Sequence, residues 1–180
     1  KVQILTATRI GMSGTIELNK KIADVFNKDK EEEDFFFSRG YVYHVGDKVI
    51  FSRNNYDKGY YNGDIGIILQ INRNGFSVGL GEDIIRVSGK SLMEVSPAFA
   101  ITVHKSQGSE AGEILILLSD EYKSMMTKNL LFTAITRAKK KVQIYYVNDA
   151  FSSCIKTRQQ ERKTGLEEKI KGVRREILNG

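Results

Sequence analysis

The chain has 180 residues, 41% hydrophobic and 28% charged, with 16 glycines and one proline, which is globular composition and excludes collagen-like or low-complexity sequence. One cysteine, Cys154, excludes an internal disulfide framework and fits a reduced, cytoplasmic location, and with only His44 and His104 beside it a protein-only zinc site is disfavoured. The formal charge of +6 favours a polyanionic partner, because lysines and arginines release phosphate counterions, and no apolar run approaches the roughly 20 residues that would cross a membrane.

In chain order, residues 2–8 read as a buried strand, with no signal-peptide layout ahead of them. A chain that starts inside a strand reads as a piece whose N-terminal portion lies elsewhere. A glycine-rich corner at Gly11 and Gly14 follows, then Leu18, Ile22, Val25 and Phe26 at helical spacing. Residues 28–34 are a charge run, read as a solvated loop. Character changes near Gly40, where short strands are expected at 48–53, 65–72, 76–80, 84–87 and 92–95, with a hairpin turn at 72–75. Five short strands in so small a span suggest a barrel, since closure removes exposed edges.

After Pro97 the α/β pattern resumes, with strands at 99–103, 114–118 and 142–147 and a helix at 129–138. An insertion into one α/β unit fits better than tandem domains, because neither flank builds a complete core alone. In the polar, basic tail after Asp149, Thr164 and Glu167 match a capping box, and Leu166, Ile170, Val173 and Ile177 form an apolar stripe.

Three segments carry chemistry. Residues 100–110 run from an apolar strand into a turn of Thr102, His104, Lys105, Ser106 and Gln107, all able to bond phosphate oxygens, with Gly108 allowing close backbone approach. The same polarity also suits an ordinary strand-end loop. In residues 129–141 an apolar face ends at Arg137 and Lys139–Lys141. An arginine fixed on packed structure can neutralise charge on a transferring phosphoryl group. Equally, these cations would complement the negative end of a helix dipole. Residues 52–66 mix tyrosines, amides and cations, as a base-stacking surface would, or as a barrel-end plug would.

Residues 100–110 resemble motif V, and 129–140 motif VI, of the RecD/TraA-type superfamily 1 helicases. Asn54-Asn55-Tyr56 with Asn62-Gly63-Asp64-Ile65-Gly66 is similar to the SH3-like barrel inserted in their second motor lobe, and 5–9 with Gly11, Gly14, Leu18 and Asn19 to their motif IV region. Phe99 and Phe132 stand where tyrosine is common, and Ala111 where an aromatic often follows the glutamate.

The resemblance implies a RecA-like α/β lobe of the P-loop NTPase class at 1–38 and 96–150, an SH3-like β barrel at 40–95 and a basic helical tail at 151–180. It implies Arg137 as an arginine finger, Gly108, Glu110 and Arg9 beside ATP, and Thr102, His104, Asn54, Asn55 and Tyr61 on single-stranded DNA. It further implies 5′ to 3′ movement with ATP and Mg2+ held mainly by a missing N-terminal motor lobe. No G-x-x-x-x-G-K-[ST] loop is present in this chain, so it is expected to be inactive by itself. The rival reading is a non-catalytic module, its barrel binding a protein partner and its tail nucleic acid.

Overall fold

A computed structural model of the chain describes residues 2–30 and 35–157. Strand β1 (Val2–Thr6) leads into a tight corner and then helix α1 (Thr15–Phe26). No side chain caps α1. Instead the Thr8 and Arg9 carbonyls accept from Thr15 N and Ile16 N at 3.1 Å each, so the corner's own backbone satisfies two orphan first-turn amides. The chain must fold back closely to do this. A Cβ at Gly14 would lie 2.5 Å from the Ile10 carbonyl, so only glycine fits there.

The expected apolar stripe on α1 is only partly buried. Val25 and Phe26 are 74% and 70% exposed, and the fully buried contact of α1 is polar. Asn19 donates to Ala100 O and accepts from Ala100 N, both at 2.8 Å. A carboxamide thus replaces the missing strand neighbour of an edge strand, and α1 is pinned by its middle while its last turn runs into solvent. Phe26 stacks there on Phe99 at 5.7 Å.

The next strands are β2 (Phe35–Ser38), β3 (Tyr41–His44), β4 (Lys48–Phe51), β5 (Ile65–Asn72), β6 (Gly75–Leu80), β7 (Asp83–Ser88) and β8 (Val95–Pro97). β2 and β3 form a hairpin, and the others an antiparallel sheet of order β7-β6-β5-β4-β8. The strand expected at 92–95 is mostly absent. Residues 89–94 form a 3-10 turn, in which Ser91 Oγ accepts from Ser88 N and donates to Ser88 O. Such local side-chain bonding outcompetes ladder pairing until Val95.

β9 (Ala100–Thr102), β10 (Ala111–Leu118) and β11 (Ala138–Tyr146) join β1 in an all-parallel sheet of order β11-β10-β1-β9. Helix α2 (Lys128–Ile135) links β10 to β11 and is capped by Thr127, whose hydroxyl accepts from Leu130 N at 3.2 Å. The polar stretch after Asp149 opens with α3 (Ala150–Lys156), whose Ala150 and Cys154 are fully buried. The capping box and stripe of residues 164–177, and residues 31–34 of the charge run, lie outside the described residues.

Two apolar cores result. One joins Leu5, Ile101, Ile114, Ile116 and Leu118 of the parallel sheet to Leu131, Ala134 and Cys154. The other fills the antiparallel sheet with Phe51, Tyr60, Ile68, Phe76 and Val78. Ile50 belongs to the first core and Ile65 packs on it, so the antiparallel sheet is seated on the parallel one. Among the described residues no helix is long and apolar enough to cross a membrane.

Candidate nucleotide and nucleic-acid interface

All strands of the parallel sheet point one way, so it has a C-terminal end, after Thr6 and Thr102, and an N-terminal end, before Val2, Ala111 and Ala138. Residues 103–110 connect the two ends. The segment is wound on its own side chains. Thr102 Oγ1 accepts from Lys105 N at 3.3 Å, Ser106 Oγ donates to Val103 O at 2.7 Å, and Ser109 Oγ donates to Ser106 O at 2.9 Å. Gly108 has φ +84, a left-handed conformation that costs other residues about 1–2 kcal/mol. Thr102 is therefore buried and shapes the loop, whereas His104, Lys105, Gln107 and Gly108 face solvent.

Arg137 lies between α2 and β11, half-buried, at the N-terminal end of the sheet. Its Nε donates to Thr133 O at 3.3 Å, Nη1 to Ser109 O at 3.5 Å and Nη2 to Thr136 Oγ1 at 3.3 Å. Its backbone carbonyl accepts from Ala111 N at 3.0 Å. The guanidinium is thus oriented by neutral oxygens. Beside it, Glu110 and Lys139 are 2.9 Å apart. Lys139 first, and Arg137 after it, hold the Glu110 carboxyl below the usual range.

A cleft of about 300 Å3 opens at this end. Ser109, Glu110 and Arg137 contribute to its lining, together with Gly63 and Asp64 just before β5 and Gly66 within it. Two of the four residues expected at nucleotide, Glu110 and Arg137, therefore line one cleft, and Gly108 lies in the adjoining turn without lining it. Arg9 does not join them. It follows the C-terminal end of β1, whereas Arg137 precedes the N-terminal end of β11. Thr6 is level with Leu117 and Ala138 with Ala111, so the strands hold those ends apart by on the order of 20 Å, about six residues of rise.

Arg9 instead lines a small cavity with Lys105, Thr102, Asn19 and Tyr41. Desolvation, and then the Arg9 charge, push the Lys105 ammonium below its usual range. This corner gathers two cations at the end of the sheet where His104 is exposed. Cations beside a solvent-facing loop suit contact with a polyanion backbone.

In the 54–62 loop the amides serve the loop itself. Asn54 Oδ1 accepts from Asn62 N at 2.8 Å, and Asn55 Oδ1 from Lys58 N at 3.1 Å. Tyr60 is fully buried on Phe51 (4.1 Å), accepts from Asn55 Nδ2 and donates to Glu94. Asp64 Oδ2 accepts from Tyr61 N at 2.7 Å. What the loop presents outward is Tyr56 and Tyr61, 75% and 49% exposed, in an edge-to-face pair at 5.8 Å. Exposed aromatics held on a rigid loop suit base stacking. Among the described residues no group of three or more His, Cys, Asp or Glu side chains is placed to hold a metal ion.

A model of the ATP-dependent RecD-like DNA helicase SH3 domain matches residues 18–80, and one of the UvrD-like helicase C-terminal domain matches residues 97–145. The ATP-dependent RecD2 DNA helicase of Deinococcus radiodurans is 29% identical over 94% of this chain. The RecBCD enzyme subunit RecD of Haemophilus influenzae is 32% identical over 92% of it. The chain matches the C-terminal region of the RecD-type helicases. It spans about a quarter of the length of these relatives, 23% and 24% respectively. Among solved structures, the Pif1 helicase from Bacteroides in complex with ADP-AlF3 and ssDNA superposes with TM-score 0.57 at 19% identity. That match covers 96% of this chain and 46% of the other, and shows a shared fold. The fold class is accordingly the RecA-like α/β lobe with an SH3-like β insertion.

Two residues gain a setting that sequence alone does not give. Lys139, one of three lysines suited to a helix dipole, meets Glu110 only through strand register. Tyr56, within the tyrosine-bearing stretch suited to base stacking or to plugging a barrel end, faces solvent beside Tyr61.

Proposed function

We propose that the parent protein is an ATP-dependent 5′ to 3′ DNA helicase and that this chain supplies its second motor lobe. In this reading residues 1–38 and 96–150 are the lobe, 40–95 the barrel and 151–180 the basic tail. ATP with Mg2+ would be held mostly by the missing N-terminal lobe, and the lobes would close on it, placing Arg137 before the phosphoanhydride is cleaved. Arg137 is the arginine finger. Its orientation by three neutral oxygens in the cleft lining is the observation that carries the reading, because a preoriented guanidinium suits developing phosphoryl charge. Gly108 and Glu110 flank it.

The DNA strand passes the opposite end of the sheet, at His104, Lys105, Arg9 and the Thr102 turn, and stacks on Tyr61 and Tyr56. Thr102, Asn54 and Asn55 act on DNA mainly by shaping the loops. Arg9 serves this DNA side in preference to the nucleotide, since it shares a cavity with Lys105 and Thr102. Backbone-directed contacts of this type carry no sequence information, as a translocating motor needs.

The test is unwinding by the full-length protein of duplexes carrying a 5′ or a 3′ tail, with ATP and Mg2+. Unwinding of the 5′-tailed duplex alone, lost in Arg137→Ala, is expected. Unwinding that survives Arg137→Ala would overturn the assignment.

A further inference from the structure

Glu110 and Lys139 are not spent on stability. Their side chains are 54% and 61% exposed, and exposed pairs contribute little to folding. Their position is more telling. Ser109 O accepts from Arg137, Ala111 N donates to the Arg137 carbonyl, and Glu110, between those two residues, reaches Lys139 at 2.9 Å. The Glu110 carboxylate consequently lies in the field of two cations, one of them the guanidinium at the cleft mouth. That is the arrangement an anionic oxygen of a phosphate would also adopt. Arg137 is bonded to neutral oxygens, and Glu110, which lines the cleft with it, is the carboxylate that meets Lys139.

We infer that Lys139 is a second phosphate-binding cation beside Arg137, and that the Glu110 carboxylate competes with nucleotide phosphate for it. The inference rests on the nucleotide reading of the cleft. A polyphosphate carries several negative oxygens against the single charge of Glu110, so it displaces an exposed carboxylate readily. Glu110 then swings into solvent while its backbone stays fixed by the β10–β11 pairing of Ala111 with Ala138. Glu110 acts as a filter: it discourages weakly charged anions from settling on Lys139 and yields to a triphosphate.

The two residues should therefore shift nucleotide binding in opposite directions. With the full-length protein and a non-hydrolysable ATP analogue as probe, Glu110→Gln tightens binding about two- to fivefold and Lys139→Met weakens it about tenfold. Lys139→Arg restores most of the loss. In steady state on single-stranded DNA, both substitutions move KM for ATP more than kcat. A purely structural pair would instead move thermal stability and leave the two KM shifts equal in sign. Weaker analogue binding in Glu110→Gln, or unchanged binding in Lys139→Met, overturns the inference while leaving Arg137 intact. ATP turnover that survives Arg137→Ala overturns the cleft reading and this inference with it.

Discussion

Asn19→Ala gives the most direct structural test of how the 103–110 loop is held. Asn19 is 4% exposed and Ala100 1%, and both carboxamide bonds measure 2.8 Å. Removing the side chain leaves the Ala100 amide and carbonyl buried and unmatched on an edge strand. Each orphaned group costs about 1–3 kcal/mol. Alanine recovers roughly 0.5 kcal/mol of helix propensity. The net loss is about 3 kcal/mol, or roughly 6–12 °C in Tm for a chain of this size. Urea denaturation of wild type and variant measures the first quantity, and native-state hydrogen exchange at the Ala100 amide localises it. A loss under about 1 kcal/mol with unchanged exchange at Ala100 would refute the claim that Asn19 substitutes for a neighbouring strand.

Tyr60→Phe keeps the stack on Phe51 but strips Glu94 of its donor, and should cost about 1–3 kcal/mol in denaturant melts. Burial, then the bond to Glu94, push the wild-type Tyr60 hydroxyl up to about 12, so its contribution persists below its ordinary value near 10 and is lost as pH rises toward 12. A pH-melt series on both proteins reads that window. For His44 the sign is opposite: burial lowers its pKa, so the folded chain prefers it neutral. Stability is full above the ordinary histidine value near 6.5 and falls as pH drops below it, and His44→Gln should flatten that slope in the acid range. Tyr56→Ala and Tyr61→Ala should each weaken single-stranded DNA binding by about 1–3 kcal/mol in fluorescence titrations, with folding unchanged.

The apolar periods of the lobe were readable because they are local. Residues 114–118 are a continuous apolar run and 99–103 one broken only by Thr102, and the helix expected at 129–138 forms at Lys128–Ile135 behind its cap at Thr127, stopping short because Ala138 already opens β11. The β2–β3 hairpin escaped notice because its turn is Arg39-Gly40, and both residues adopt left-handed φ, 54 and 79. Asn-Gly would have advertised that turn and arginine does not. The split between Arg9 and Arg137 is tertiary: only strand direction sends them to opposite ends of one sheet. For the same reason Asn54 and Asn55 read as DNA contacts in sequence, while their side chains close the loop that displays Tyr56 and Tyr61.

The central claim is that Arg137 acts on phosphoryl transfer rather than on folding or DNA binding. The deciding measurement is DNA-stimulated ATP turnover of the full-length protein, wild type against Arg137→Ala, with analogue and DNA affinities recorded alongside. In Arg137→Ala, kcat is expected to fall by on the order of a thousandfold while DNA affinity and melting temperature hold. Turnover within a few-fold of wild type would contradict it, and would leave Arg137 as a cation serving only the end of α2.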